Sequence, residues 1–368
     1  MPIRTTGAVT RPADVLVVGG GIAGLCAALA AADRGLQVTV AGTARPGAAS
    51  RVAAGLLAPS LDGLAPSVRA IAIMARDGYP AFLAHLRTSA DTPVALDGNG
   101  ILELASSASD LAHLMARAGP SAQPLGQGEL AQLEPALAGH AGAVLHPHDG
   151  AVDNVALMDA LERAVANNGR IHRCHAQIVS FDFLAARPVA VTAAGARLEG
   201  ASILLAAGAW ASRIPGLPRV LPVRPVRGEV LCLDTTPIHH VTFGAGGYLV
   251  PRGSSLLIGA TSEDDGFECH PSDAGRASLL GIATATVPSL GNAHIVEHRA
   301  GLRPMTPDAM PILGRDPDVP ALLYACGFSR NGILLAPWAA TQLADLLVGG
   351  KSGDALAPFR PARFDPNK

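Results

Sequence analysis

A strand–turn–helix–strand unit near the start of the chain restricts the fold more than any other feature of the sequence. A short apolar run at 14–18 leads into glycines spaced G-x-G-x-x-G from Gly19 to Gly24. A stretch rich in Ala and Leu then runs to Arg34, ends at Gly35, and precedes a second apolar run at 37–40. Continuous apolar runs are typical of parallel strands buried on both faces, and glycine suits a helix C-terminus. The unit predicts an α/β fold of the Rossmann type.

Each glycine of this turn has a physical task. Gly19 permits the tight turn, Gly21 lets the backbone approach a pyrophosphate, and Gly24 lets the helix pack closely on the strand. The helix begins at Ile22 and Ala23, where free N–H groups and a partial positive charge favour phosphate. The turn therefore predicts a bound dinucleotide.

One part of the dinucleotide fingerprint is missing. An Asp or Glu is expected at the end of the second strand to bind the ribose hydroxyls, but this position is Ala41. Arg45, shortly after it, would suit a 2′-phosphate and hence NADP. The alternative is that other groups, such as Thr43 or the backbone, hold the ribose, and we favour it because the rest of the chain indicates FAD.

The middle of the chain predicts a second sheet. Residues 229–234, 248–251 and 255–260 are short apolar runs separated by turns, which is an antiparallel pattern. The nucleotide-binding fold should resume near Arg299. Before this sheet, periodicity predicts one amphipathic helix over 69–86, and residues 170–181 read as one strand.

Composition excludes several function classes. The 368 residues have a formal net charge of −2 and only 4% aromatic residues, so we expect no nucleic-acid partner. No apolar run is long enough to span a bilayer, and we expect no membrane association. The five cysteines are odd in number and contain no CxxC pair, as in a cytoplasmic protein with reduced thiols. The histidines near 146 and 172 lack acidic partners at ligand spacing, so no metal site is predicted.

Taken in order, the motifs resemble those of the D-amino-acid oxidase superfamily of flavoproteins, from Asp14 to about Leu347. The most specific motif is SRNGILLAP at 329–337. The others are VVGGGIAG at 17–24, AAGLLAP at 53–59, AAGAW at 206–210, PVRGE at 225–229, YLVPR at 248–252, GAT at 259–261 and GLRP at 301–304.

The resemblance implies noncovalent FAD, because the flavin-linking cysteine of some relatives has no counterpart at 304–307. It implies an FAD-binding domain of residues 1–84, 146–218 and 299–368, with an inserted α+β substrate-binding domain of residues 85–145 and 219–298. The cofactor-binding residues that it implies are Gly19, Gly21, Ile22, Ala23, Gly24, Thr43, Ser50, Ala53, Ala54, Gly55, Leu56, Ile178, Val179, Ala207, Gly208, Trp210, Gly327, Arg330, Asn331, Gly332, Ile333 and Leu334.

The resemblance also implies a chemistry: hydride transfer from the Cα of a neutral amine to flavin. Arg303 is the candidate for binding the substrate carboxylate, because a guanidinium binds a carboxylate through two parallel hydrogen bonds. Tyr248 would donate an O–H bond to the same group. Arg330 would gate the pocket or meet the amine through its carbonyl. The helix start at 331–334 would stabilise negative charge on the reduced flavin.

The function that follows is oxidative deamination of glycine or other small amines, such as sarcosine and small D-amino acids. The products would be the imine or 2-oxo acid and H2O2, feeding thiazole synthesis for thiamine. One alternative is a D-amino-acid or amine dehydrogenase that passes electrons to a quinone or other acceptor. Another is a noncatalytic flavin-binding protein. The resemblance also implies a homo-oligomer.

Two positions depart from the pattern of the superfamily. Ala41 replaces the usual Glu, which bears on nucleotide affinity, and Ser262 stands where a bulkier residue is expected, which bears on substrate size.

Overall fold

The computed structural model describes residues 13–61, 64–349 and 354–365. Its α-helices are α1 (Ile22–Asp33), α2 (Ala49–Val52), α3 (Pro66–Asp77), α4 (Tyr79–Ala90), α5 (Ala108–Arg117), α6 (Gln127–Leu133), α7 (Asn154–Asn167), α8 (Asp273–Thr286) and α9 (Gly332–Leu347). Its strands are β1 (Ala13–Val18), β2 (Val38–Ala41), β3 (Leu56–Leu57), β4 (Leu96–Asp97), β5 (Ile101–Ala105), β6 (Gln123–Gly126), β7 (Gly142–His146), β8 (Gly150–Val152), β9 (Ile171–Cys174), β10 (Ile178–Asp182), β11 (Val189–Thr192), β12 (Arg197–Leu205), β13 (Arg224–Leu233), β14 (Val241–Gly244), β15 (Gly247–Arg252), β16 (Ser255–Gly259), β17 (Ile295–Met305), β18 (Ile312–Arg315) and β19 (Leu322–Cys326).

The predicted parallel sheet is confirmed. Strands β9, β2, β1, β12 and β19 are parallel neighbours in that order. Strands β18, β11 and β10 extend the sheet in antiparallel pairing. Helices α1 and α9 pack together against the sheet in one large apolar core, and a 2.7 Å bond from Arg34 to Asp345 joins their ends. The first and last α-helices of the described residues therefore share one core.

The second, antiparallel sheet is also confirmed. Its strand order is β17-β13-β16-β15-β14-β5-β7-β6, and its pairs are antiparallel except for β14 with β5. Helix α8 packs on it through buried Leu279 and Ala283. The whole is the mixed α/β fold expected from the sequence.

Two local predictions are wrong. The helix predicted over 69–86 is two helices, α3 and α4, which meet at Gly78 because Pro80 fits only the first turn of a new helix. The strand predicted over 170–181 is β9 and β10, which lie at opposite ends of the same sheet. Both errors arise where the chain changes direction within a segment that the sequence pattern predicts as one element.

The return to the first sheet lies later than expected. Strand β17 spans Arg299 but pairs with β13 along its length, so the first sheet resumes at β18. The division into two domains stays a prediction. No helix in the described ranges combines the length and apolar character needed to cross a bilayer.

Candidate active site

The glycine turn after β1 is closed so tightly that side chains are excluded. Gly19 has φ of +127°, and a Cβ there would overlap the carbonyl of Ala206 at the end of β12. A Cβ on Gly24 would overlap the carbonyl oxygen of Gly19, so α1 rests directly on the turn. Gly21 is the N-cap and has no side chain to cap the helix. This geometry fits a pyrophosphate bound at a helix N-terminus.

Segment 50–56 lies beside this turn and is held from two directions. The N–H of Ile22 donates to Oγ of Ser50 at 3.1 Å. From the antiparallel sheet, Nη2 of Arg252 donates to the carbonyl of Ala54 at 2.6 Å. Gly55 has φ of +70°, and its carbonyl accepts from the N–H of Val152. These bonds place Ala53, Ala54, Gly55 and Leu56 between the two sheets.

The opposite wall is the start of α9. Strand β19 leads into Gly327, which has φ of +66°, and Asn331 is the N-cap of the helix. The N–H of Ser329 donates to the carbonyl of Pro304 at 3.0 Å, which ties this turn to β17. Gly332, Ile333 and Leu334 form the first helical turn. The structure thus brings the N-terminal and C-terminal parts of the predicted cofactor site to the same region.

A proline inside α9 leaves one carbonyl of that helix without its usual hydrogen-bond donor. Pro337 has no N–H, so the carbonyl of Ile333, four residues earlier, has no donor within the helix. The hydroxyl of buried Tyr79 donates to that carbonyl at 2.5 Å. Helix α4 therefore completes the hydrogen bonding of the first turns of α9.

Arg303 lies on β17 with part of its guanidinium free. Its Nη1 donates to the carbonyls of Arg227 and Thr261 at 3.2 and 3.0 Å. In the described part of the chain no carboxylate pairs with it, and the neighbouring Glu263 is engaged by Arg227. A Cβ on Gly228 would overlap the guanidinium, so the glycine makes room for it. The group is oriented by backbone carbonyls and left open to an anion.

Tyr248 and Arg330 lie close to Arg303. The ring of Tyr248 rests on Gly259, its cross-strand partner, where a Cβ would overlap the phenol. Burial raises the pKa of Tyr248, and the charges of Arg303 and Arg330 oppose that rise. Burial lowers the pKa of Arg303; the neighbouring Tyr248 opposes this and Arg330 adds to it. The side chain of Arg330 is exposed. The structure therefore groups the three residues that the sequence predicts to be catalytic.

The remaining predicted residues are more dispersed. Ala207 and Gly208 follow β12 beside the glycine turn. Buried Ile178 packs with Val18 and Ala41, whereas Val179 on the same strand is exposed.

The loop after β2 meets the segment after β12. The guanidinium of Arg45 lies over the ring of Trp210, 5.2 Å from its centre, and that ring contacts Phe267. Thr43 and Ser262 are exposed. Because Arg45 is stacked on an aromatic ring, its position gives no specific support to a 2′-phosphate site.

Sequence reasoning assigned no role to several residues that shape the site. Gly228 and Gly259 give space to Arg303 and Tyr248, and Arg252 holds the carbonyl of Ala54. These residues fall within the quoted motifs, but their tasks depend on cross-strand register. Tyr79 lies in none of the motifs. The proline inside α9 is nevertheless a sequence signal that a donor from elsewhere must bond to the carbonyl that the proline leaves free.

Comparison with known proteins agrees with this geometry. The family model described as FAD dependent oxidoreductase matches residues 14–346. The chain belongs to that family. The resemblance to the D-amino-acid oxidase superfamily is therefore confirmed, and so is FAD as the cofactor. The glycine cradle and the open helix start of α9 fit such a cofactor.

Individual relatives match along nearly the whole chain. Glycine oxidase of Geobacillus kaustophilus is 33% identical over 96% of this chain and 98% of the relative. Its crystal structure superimposes with a TM-score of 0.90, covering 96% of this chain and 99% of that one, at 32% identity. The bifunctional protein ThiO/ThiG of Synechocystis is 35% identical over 95% of this chain. The chain spans only 54% of that relative's length.

Proposed function

We propose that this protein oxidises glycine, or another small amino acid, with FAD as cofactor and O2 as electron acceptor. Glycine, O2 and water would give glyoxylate, ammonia and H2O2. The observation that carries the proposal is the open guanidinium of Arg303 beside Tyr248 and Arg330. The similarity to glycine oxidases over nearly the full chain supports the same substrate class.

Arg303 binds the substrate carboxylate in this proposal. Two backbone carbonyls fix its Nη1, which leaves Nη2 and Nε to meet the two carboxylate oxygens. Tyr248 donates its O–H to the same carboxylate, since its raised pKa keeps the hydroxyl protonated. The fixed carboxylate sets the orientation of the Cα–H bond, which is the main contribution these residues make to the rate.

The amine group lies on the side of Arg330. Arg330 and Arg303 place two positive charges near it, and both disfavour the ammonium form of the substrate. The neutral amine is the form that can lose a hydride from Cα. The exposed side chain of Arg330 is placed to cover the pocket entrance, while its backbone carbonyl is available to the amine.

Bound FAD supplies the redox chemistry, by taking two electrons from the amine and passing them to O2. We propose that Gly19, Gly21, Ile22, Ala23 and Gly24 hold the pyrophosphate, and that Ser50 fixes the start of that helix. Ala53 to Leu56 and Gly327 to Leu334 would enclose the flavin ring, with the α9 N–H groups stabilising negative charge.

Absorption spectra test cofactor and substrate together. The purified protein should show a flavin spectrum that anaerobic glycine bleaches and that air restores quickly, with H2O2 released. A flavin spectrum that neither glycine nor sarcosine changes would contradict the proposal. Bleaching followed by slow reoxidation in air would instead indicate a dehydrogenase.

The cellular context is part of the proposal. We infer that the protein works in the cytoplasm as a homo-oligomer and that its product feeds thiazole synthesis for thiamine. All five cysteines are free thiols, which supports a reducing compartment. Size-exclusion chromatography with light scattering tests the subunit number.

A further inference from the structure

The carboxyl ends of three parallel strands meet where the adenosine end of a dinucleotide is expected. In the register of the sheet, Val18 of β1 pairs with Ala41 of β2, and Ala41 pairs with Cys174 of β9. The N–H of Gly19 donates to the carbonyl of Ala41 at 2.9 Å, and the N–H of Gly42 to that of Cys174 at 3.1 Å. This edge of the sheet is therefore well ordered by backbone bonds.

The middle strand offers nothing to a ribose. Ala41 is fully buried and has only a methyl group, and Gly42 follows it so close to the turn that a Cβ would lie 3.0 Å from the N of Gly20. No acid occurs between 41 and 47. The acceptor that usually binds the ribose hydroxyls at this edge is absent.

Arg173, on the neighbouring strand β9, reaches the same place. It is paired with Val40 and so lies on the face of the sheet that packs against α1. Its Nη2 is 3.8 Å from the position that a Cβ on Gly20 would take. Arg173 is half-buried, and among the described residues its guanidinium has no hydrogen bond or ion pair. Its N–H groups are therefore available to donate hydrogen bonds to a ligand that approaches Gly20.

We propose that Arg173 binds the adenosine ribose of FAD by donating hydrogen bonds to its hydroxyl oxygens. The polarity is the reverse of the usual arrangement, in which a carboxylate accepts from the ribose hydroxyls. The donor comes from β9 rather than β2, which explains how the chain dispenses with an acid at position 41. This inference concerns the cofactor alone and does not depend on which amine is oxidised.

Binding to the full-length protein freed of FAD tests the proposal. By isothermal titration, wild-type protein should bind ADP more tightly than 2′-deoxy-ADP. Arg173→Met should raise the Kd for ADP by about tenfold, the effect of losing a hydrogen bond to a charged donor. The same variant should bind the two nucleotides almost equally, because the contact that distinguishes them is gone.

Arg170→Met is the matched control. Arg170 lies just before the opposite end of β9 and donates to the carbonyl of Gly35, so this variant removes the same charge away from the site. Its Kd for ADP should stay at the wild-type value. An unchanged Kd in Arg173→Met, or an equal loss for both nucleotides, would overturn the proposal.

A measurement on the wild-type protein keeps the test valid if the variant does not fold. Wild-type protein that binds 2′-deoxy-ADP as tightly as ADP would overturn the ribose contact. So would tighter binding of adenosine 2′,5′-bisphosphate than of ADP, because that result would assign Arg173 to a 2′-phosphate instead.

Discussion

The guanidinium of Arg303 lies directly over Gly228, in the space that any larger side chain at that position would fill. The two residues are on neighbouring strands, and Gly228 is level with Gly301, two residues before the arginine. The position of the group that we propose to bind the carboxylate is thus set by a glycine on the neighbouring strand.

Gly228→Ala should therefore impair the enzyme without removing its cofactor. The methyl group would displace the guanidinium and lower kcat/KM for glycine by about 100-fold, the range of a lost charge-assisted bond. Anaerobic stopped-flow reduction by glycine measures this. Gly281→Ala is the control, because nothing lies within 4 Å of a Cβ there. Equal rates in the two variants would contradict the assignment.

Arg303→Met should abolish the preference of the enzyme for a substrate with a carboxylate over one without it. Wild-type enzyme should prefer glycine to glycinamide, and the variant should lose about 100-fold or more in kcat/KM for glycine only. The ratio of the two substrates is the measurement. Arg276→Met, which removes an exposed arginine on α8, should keep the wild-type ratio. A ratio that survives in Arg303→Met would place carboxylate recognition elsewhere.

Tyr248→Phe should lower kcat/KM by about tenfold, the effect of one hydrogen bond. Burial raises the pKa of Tyr248 above the usual value of tyrosine, although the charges of Arg303 and Arg330 oppose that rise. The O–H bond that we propose to substrate should therefore persist to a higher pH than an unshifted tyrosine would allow. Profiles of kcat/KM against pH should run parallel in wild type and variant. A change of kcat/KM with pH below pH 10 that occurs in wild type but not in Tyr248→Phe would contradict this, because it would show that Tyr248 ionises there.

Tyr79→Phe should destabilise the fold by about 1–3 kcal/mol, because it leaves the buried carbonyl of Ile333 without a donor. Pro337→Ala restores a backbone N–H to that carbonyl, so the double variant should regain most of the loss. Thermal unfolding of the four proteins measures the coupling between the two positions. Additive effects would mean that the hydroxyl and the proline act independently.

The parts of the fold that depend on local spacing could be predicted from sequence. The turn from Gly19 to Gly24 needs glycine for reasons contained within a few residues, and the structure has the expected strand and helix around it. The antiparallel sheet was also visible as short apolar runs between turns. Site residues such as Arg303 were reached through the resemblance, since no local rule distinguishes it from other arginines.

The features of the fold and site that could not be predicted from sequence depend on the register between distant segments. Gly228 and Gly259 matter only because particular strands lie beside β13 and β15, and a sequence pattern does not specify that pairing. Tyr79 and Ile333 are 254 positions apart. Residues 170–181 divide into β9, which pairs with β2, and β10, which pairs with β11 at the other end of the sheet. This division depends on long-range pairing that the local sequence does not specify.

The packing of α1 against α9 has a consequence for biosynthesis. Helix α1 carries the glycine turn, while α9 forms the opposite wall and begins only at residue 332. A growing chain on the ribosome holds only the first part of the proposed cofactor site until α9 has been translated, although domains generally fold as units as they emerge. We therefore expect stable FAD binding only after α9 has been made and has packed against α1.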